Sequence, residues 1–146
     1  MDGFGDDHAH AQAAHTALMQ IREQLNRHPM ITHIEGLPND TLYSELRAAV
    51  EPVRVGVEAP SGTLTVRWFV PTADGAPRFV FHFADATGFD CGWHYHEQDH
   101  VTGLGHYQER ITANEPYEYE PYSFESTEPA RIVWIICDEL VSLFNR

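Results

Sequence analysis

Lysine is absent from this chain. All nine basic residues are arginine, set against 22 aspartate and glutamate residues, and the formal charge is −13. This balance argues against a broad basic face for nonspecific nucleic-acid binding, because phosphate contacts would have to come from a few focused arginines. Repulsion among so many carboxylates weakens a compact fold, but at molar salt the Debye length falls to about 3 Å and the repulsion is screened. We therefore expect a protein adapted to a salt-rich cytoplasm.

Cysteine and long apolar segments are also scarce. Only Cys91 and Cys137 occur, they form no CxxC pair, and no apolar signal segment stands at the start. Both thiols are therefore expected to be reduced, structural groups in a cytoplasmic protein. The densest apolar run covers only residues 132–137, whereas a membrane-spanning helix needs about 20 apolar residues. We therefore expect no membrane span.

The length of 146 residues and the 42% share of apolar side chains are those of one ordinary domain. Its acidic, lysine-free composition resembles that of proteins from halophilic archaea, in which surface carboxylates take the place of lysine. Residues 1–8 are mostly polar and contain two glycines, so we expect a disordered start followed by a single domain over residues 9–146.

The first fifty residues carry a helical pattern. A helix over residues 9–27 is predicted by an apolar stripe at spacings of three and four, formed by Leu18, Ile21 and Leu25. Asp40 is a candidate N-cap for a second helix that ends near Val50, ahead of Pro52. Residues 9–50 are therefore predicted to be helical.

Beyond Pro52 the periodicity changes to alternation, which predicts an antiparallel sheet of about five to six strands over residues 53–124. The predicted strands begin at the alternating valines 53, 55 and 57, continue as a hairpin at 62–84 around the turn signal PTADGAP (71–77), and end with segments near 89–96, 104–111 and 116–124. Pro129 then opens a helix over 128–145 whose apolar stripe should cover one sheet face. The fold class is α+β.

Four histidines, His94, His96, His100 and His106, fall within thirteen positions. Strand side chains alternate between faces, so placing the apolar rows in the core sorts the polar ones onto the opposite face. The residues sorted there are Arg67, His82, His94, His96, His106, Gln108 and Arg110. This parity predicts a basic, proton-active patch, although a polar row can also simply cover a solvent-facing sheet.

The patch suits cleavage of a phosphodiester. Paired histidines act as general acid and base, and arginine stabilises the charge that develops on phosphate. The predicted catalytic residues are His82, His94, His96, His106, Arg67 and Arg110. No cofactor is needed when a ribose 2′-hydroxyl is the nucleophile, so RNA is the predicted substrate.

From Leu64 onward, the order of features resembles the TumE family of toxin–antitoxin toxins. The resemblance depends on antiparallel strands, a histidine-rich segment, and the stretch PYSFESTEPARIVWIICDEL at 121–140, in which an aromatic strand leads into an amphipathic helix. Its departures are the spread of His94, His96 and His106 over two strands and the absence of a counterpart for residues 1–50. The resemblance implies an RNA-directed toxin and a cognate antitoxin protein as partner.

Two alternatives stay open. Gly88, His94, His96 and His100 have the spacing of the first half of a cupin motif, which indicates Zn²⁺, Fe²⁺ or Mn²⁺ bound by His94, His96 and His100. No convincing second half of that motif follows. The other alternative is a non-enzymatic interaction module, whose interface would use the aromatic residues Trp93, Tyr95, Tyr107, Tyr117 and Tyr119.

Overall fold

The computed structural model describes residues 3–70, 77–97 and 103–146, with side chains described from Ala9 onward. The elements in chain order are α1 Gly3–Arg27, β1 Ile31–Pro38, β2 Tyr43–Val50, a 3-10 helix Pro52–Val55, β3 Gly62–Phe69, β4 Arg78–Asp85, β5 Asp90–Tyr95, β6 Gly105–Arg110, β7 Glu118–Pro121 and α2 Pro129–Phe144. The fold class is α+β, as predicted, and the seven described strands exceed the five to six expected.

The seven strands form one antiparallel sheet in the order β1 to β7, so each strand pairs with its neighbours in the chain. Short connections favour this arrangement, because consecutive strands joined by tight turns pair with the least loss of chain entropy. Within the described residues, β1 and β7 are the two edges of the sheet. The sheet is therefore open and does not close into the barrel that a cupin would form.

The inner face, defined here as the face covered by α1 and α2, carries the core. Its fully buried strand residues alternate along β2 to β5 and include Leu46, Val50, Leu64, Val66, Phe79, Phe81, Phe83, Cys91 and Trp93. The helices contribute Leu18, Ile21, Leu25, Ile132, Ile136 and Leu140. Trp134 also ties the helices together, since its indole N–H donates to Gln24 Oε1 at 2.8 Å. Burial of this continuous apolar layer stabilises the fold and leaves the opposite, outer face to polar side chains.

The predicted helix at 9–27 is present but longer, because α1 begins at Gly3. The backbone from residue 3 onward is therefore helical where a disordered start was expected, and residues 1 and 2 lie outside the described residues. No helix in the described part of the chain is long and apolar enough to cross a bilayer.

The second helix predicted from Asp40 to Val50 is wrong, because this segment is strand β2. It pairs on one side with β1 and on the other with β3, and these ladders override the modest helix preference of its Glu, Leu, Arg and Ala residues. Asp40 does not cap a helix: its Oδ1 accepts a hydrogen bond from the Gly36 N–H at 2.7 Å and lies 3.0 Å from Arg22 Nη1. It thus secures the β1–β2 connection.

The strand predicted from the alternating valines 53, 55 and 57 is also wrong. Residues Pro52–Val55 form a 3-10 helix, which ends at Gly56 with φ 78°. Pro52 stands at the first helical position, where a missing N–H is tolerated, and Gly56 adopts the left-handed conformation that ends the turn. The hairpin, the three later strands and the closing helix are present near their predicted positions, and the predicted turn at 71–77 lies outside the described residues except for Pro77.

Replacement of Leu18 by alanine should lower the free energy of unfolding by about 2 to 5 kcal/mol, because Leu18 is fully buried between α1 and the sheet. Met19→Ala is the matched control, since Met19 is 51% exposed on the same helix, and its effect should stay within about 1 kcal/mol. Urea unfolding monitored by circular dichroism measures both. Equal losses for the two variants would contradict this placement of α1.

Candidate functional site

The outer face of the sheet is organised in transverse rows by the strand register. One row joins Arg67, Val80, His94 and His106, and the next joins Thr65, His82, Gly92 and Gln108. A third row contains Asp90 opposite Arg110. All six residues predicted as catalytic, Arg67, His82, His94, His96, His106 and Arg110, therefore lie on this face, but the register divides them into separate groups. His100 lies outside the described residues.

The first group is the histidine triad, consisting of His94, His96 and His106. His94 pairs directly with His106 across β5 and β6. His96 lies just beyond the end of β5, two positions after His94, and its N–H donates to the Leu104 carbonyl at 3.0 Å. The ring centroid of His94 lies 5.2 Å from that of His96 and 4.9 Å from that of His106, and the centroids of His96 and His106 are 5.3 Å apart. One nitrogen from each ring lies within 4.8 Å of the other two. The three rings therefore converge on one point.

The hydrogen positions of the triad follow from its neighbours. His96 Nδ1 lies 2.9 Å from the carbonyl oxygen of Glu97, which can only accept, so Nδ1 carries the hydrogen and Nε2 of neutral His96 has a lone pair. That Nε2 lies 3.1 Å from His94 Nδ1. Either His94 Nδ1 donates a hydrogen to it, or two lone pairs face a common cation.

Burial keeps the inner members of the triad neutral. His106 has 0% exposure, and its ring nitrogens make no well-aligned hydrogen bond among the described residues, although the Leu104 backbone lies near enough to act on the ring; His94 Nε2 is likewise unpartnered. Burial, followed by the charges of the neighbouring His106, His96 and His82, lowers the pKa of His94 to about 3. Burial, followed by the charge of His96, also lowers the pKa of His106. Neutral imidazoles with free lone pairs are what a metal ion requires.

The second group, here called the Asp90 group, consists of Asp90, His82, Arg110 and Tyr117. Asp90 Oδ1 lies 2.5 Å from His82 Nε2, and Asp90 Oδ2 lies 3.5 Å from Arg110 Nη2. The Arg110 guanidinium stacks on the Tyr117 ring at 4.6 Å from its centroid. The His82 contact is not aligned as a hydrogen bond, so the carboxylate interacts electrostatically with an imidazole beside one oxygen and a guanidinium beside the other.

Gly92 separates the two groups and lets them approach each other. A Cβ at this position would stand 2.7 Å from His82 Nδ1 and 2.9 Å from His94 Nε2, so any larger residue would displace both rings. His82 Nε2 is turned towards Asp90, where a lone pair would be repelled by the carboxylate, so the hydrogen of neutral His82 is on Nε2. Its Nδ1 lone pair then faces the space above Gly92, next to His94.

Arg67 shares the outer face but belongs to neither group. Its Nε donates to Glu45 Oε1 at 2.8 Å, while Arg47 Nε donates to the other carboxylate oxygen at 2.8 Å. Partial burial raises the pKa of Glu45, but the hydrogen bonds from Arg67 and Arg47 outweigh it and the net pKa is lowered. Val80 stands between Arg67 and His94 in their row. Two strand spacings, about 10 Å, therefore separate this arginine from the triad.

The two cysteines stay out of the site. Cys91 and Cys137 are both buried free thiols, and burial raises the pKa of each to about 12. A thiol that remains protonated at neutral pH is a poor nucleophile and a poor metal ligand.

Sequence reasoning missed Asp90, Gly92 and Tyr117. The signal for the first two was available, because positions 90 and 92 have the same strand parity as His94 and His96. An acidic residue in a chain so rich in carboxylates does not stand out as functional. Tyr117 precedes β7, and only the connection from β6 brings its ring onto Arg110.

The chain matches no family model, no curated protein and no solved structure. The chemistry of the site is therefore inferred from its own geometry.

In protein dialysed against EDTA, the His94 imidazole should stay neutral between pH 5 and 8. An unfolded chain protonates His94 near its ordinary pKa of 6.5, whereas the folded chain does so only at about 3. Acidification below about pH 6.5 therefore favours the unfolded state, and this contribution to stability keeps falling until about pH 3. Long-range ¹H–¹⁵N spectra of the rings measure the protonation directly.

The His94→Gln variant supplies the control for this prediction. It should remove part of the acid-induced loss of unfolding free energy that the parent shows between pH 6.5 and 4. A His94 ring that titrates near pH 6.5 would contradict the burial described above.

Proposed function

We propose that the protein acts on RNA phosphodiesters and that the Asp90 group is its catalytic centre. The observation that carries this proposal is the position of Asp90, which contacts the His82 imidazole and the Arg110 guanidinium with its two oxygens. A base oriented by a carboxylate, beside a cation that binds phosphate, is the minimal equipment for transfer at phosphorus. The resemblance of the segment from Leu64 onward to the TumE toxins points to the same substrate.

His82 is the proton acceptor in this proposal. Asp90 holds its Nε2, which leaves Nδ1 free to accept a proton and stabilises the imidazolium that forms. The His82 side chain is 26% exposed, so a substrate can reach it, whereas His94 Nε2 behind it is buried. His94 therefore supports the position of His82 and does not meet the substrate.

Arg110 is the phosphate-binding group. Its contact with Asp90 is long, at 3.5 Å, and its side chain is 29% exposed, although its Nε is buried. The terminal N–H donors of the guanidinium that Asp90 does not engage are therefore the ones available to phosphate oxygens. Stacking on Tyr117 fixes the plane of the guanidinium and lowers the entropy lost when a phosphate binds.

The reaction that fits these groups is transesterification. The ribose 2′-hydroxyl gives its proton to His82 Nδ1, and the 2′ oxygen forms a bond to phosphorus while the P–O5′ bond breaks. The departing 5′ oxygen takes a proton from water, and His82 returns its proton to the resulting hydroxide. The products are a 2′,3′-cyclic phosphate and a 5′-hydroxyl, with Arg110 stabilising the charge on the phosphoryl oxygens.

The cognate antitoxin implied by the TumE resemblance is the proposed protein partner. Induced expression of the chain in a halophilic host should arrest growth, and co-expression of a small neighbouring gene product should relieve the arrest. Normal growth with folded protein present would count heavily against the toxin assignment.

Arg110→Gln should lower the rate of cleavage of a uniform single-stranded RNA by about 100-fold or more, because it removes the donor to the charged phosphoryl oxygens. Asp90→Asn and His82→Gln should have effects of similar size. Arg67→Gln is the matched control, since it removes the same charge from the same face but on β3, three strands from Arg110, and its rate should stay within about twofold. Cleavage of end-labelled RNA in potassium chloride, followed on denaturing gels, measures the rates of all four variants.

The opposite result has a clear meaning. Equal loss in Arg67→Gln and Arg110→Gln would show that only overall charge matters, and full activity in His82→Gln would remove the proposed base. Either outcome would overturn the assignment of the Asp90 group.

We also propose that the protein is adapted to high salt. Eight of the nine arginines already lie within 4.0 Å of a carboxylate, so the remaining acidic residues repel one another without basic neighbours to offset them. Exposed examples are Glu35, Glu58 and Glu115.

The midpoint of thermal unfolding should therefore rise steeply between 0.1 M and 2 M potassium chloride, because the Debye length shrinks from about 10 Å to less than 3 Å. A variant with Glu35→Gln, Glu58→Gln and Glu115→Gln should need less salt to reach the same midpoint. Calorimetric scans provide the measurement. A midpoint that is independent of salt would refute the adaptation.

A further inference from the structure

We propose that the histidine triad binds one divalent transition-metal ion, with His94, His96 and His106 as its protein ligands. This inference does not depend on RNA as the substrate. It replaces His100 of the cupin-like alternative with His106, which the register of β5 and β6 places directly opposite His94.

The distances suit a common ion. Zn–N bonds of 2.0–2.1 Å in tetrahedral geometry place ligand nitrogens about 3.3 Å apart. His94 Nδ1 and His96 Nε2 are already 3.1 Å apart, and the chosen nitrogens of all three rings lie within 4.8 Å of one another. Small rotations of the imidazoles about their side-chain torsions are enough to complete the set, because the Cα positions are fixed by the sheet ladder.

The buried ring nitrogens of the triad favour metal binding. Both ring nitrogens of His106 are buried without a well-aligned hydrogen bond among the described residues, and His106 is 0% exposed. Its polar contact with the Leu104 backbone compensates only in part. Burial of a polar atom without a good partner is unfavourable, and metal coordination satisfies such an atom directly.

The surroundings of His96 match those of a metal ligand. Ligating histidines generally donate their second N–H to a carbonyl or carboxylate, which fixes the tautomer and the orientation of the ring. His96 does this through Nδ1 and the Glu97 carbonyl, at 2.9 Å, and so presents the Nε2 lone pair to the triad.

His94 has room for the corresponding arrangement. If Nδ1 coordinates the ion, neutral His94 carries its hydrogen on Nε2, above Gly92 and next to the His82 Nδ1 lone pair. In the metal-free form the same two nitrogens both present lone pairs to this space. Metal binding at Nδ1 therefore turns an N–H of His94 towards the His82 ring, whose centroid lies 6.3 Å away.

Arginine does not repel a cation from this point. Arg67 lies two strands from the triad and is held by Glu45. Arg78 is paired at 2.7 Å with Glu97, the residue after His96. Arg110 lies four residues from His106 along β6, a distance of about 14 Å for an extended strand, and is engaged by Asp90. Three neutral ligands leave at least one coordination position for water or substrate, which is the pattern of catalytic zinc sites.

The test uses tag-free full-length protein, stripped with EDTA and titrated with Zn²⁺ by calorimetry in potassium chloride. The parent should bind one Zn²⁺ per chain, and Co²⁺ should give the intense visible absorption of a tetrahedral site. His96→Gln and His106→Gln should each weaken Zn²⁺ binding by about 100-fold or more. His33→Gln is the control, because His33 is an exposed outer-face histidine on β1, and it should bind like the parent.

Two outcomes would overturn the proposal: no Zn²⁺ or Co²⁺ binding by the folded parent, or unchanged binding in His96→Gln. The His96→Gln variant guards against a folding defect in His106→Gln, because His96 is only partly buried. No RNA enters this experiment, so its failure leaves RNA cleavage by the Asp90 group untouched. Conversely, metal binding without RNA cleavage would remove the proposed substrate and keep the metal site.

Discussion

The antiparallel register of β4, β5 and β6 is the constraint on which the rest of the site depends. It pairs His82 with Gly92, His94 with His106 and Asp90 with Arg110. Since side chains alternate along a strand, a slip of one residue would move this whole polar set into the core and the core residues into solvent. The buried aromatic residues of the inner face prevent that slip. The core therefore fixes the site on the outer face without touching it.

Charge pairing shapes the outer face as strongly as register does. Glu45 holds Arg47 and Arg67, and Asp90 holds Arg110. The patch is therefore not an open basic surface, and most of its arginines are already compensated. Arg110 differs because its contact is long and its side chain is 29% exposed. In so acidic a protein, an anionic substrate can be held only where an arginine has donors to spare.

Gly92 links the two halves of the site. One half is a set of buried, neutral imidazoles, and the other is an exposed imidazole and guanidinium oriented by one carboxylate. Because no side chain stands at position 92, the His82 and His94 rings face each other with their centroids 6.3 Å apart. The proposed phosphate chemistry and the proposed metal site therefore adjoin on the outer face.

The sequence by itself determined the features that depend on periodicity. Alternation along the later strands was strong enough to predict the hairpin, the outer-face position of the histidines and the closing helix, since each follows from which side of an element is apolar. Tertiary structure decided the features in which local preference and pairing compete. The segment Tyr43–Val50 has helix-forming residues but is a strand, because β1 and β3 flank it on both sides. Tertiary structure also decided which polar residues lie close together. Parity placed Arg67 and Arg110 on one face. Only the order of the strands separates Arg67 from the histidines and brings Asp90 close to His82 and Arg110. Side-chain parity is encoded within a few residues, whereas neighbours across a sheet are set by pairings between distant parts of the chain.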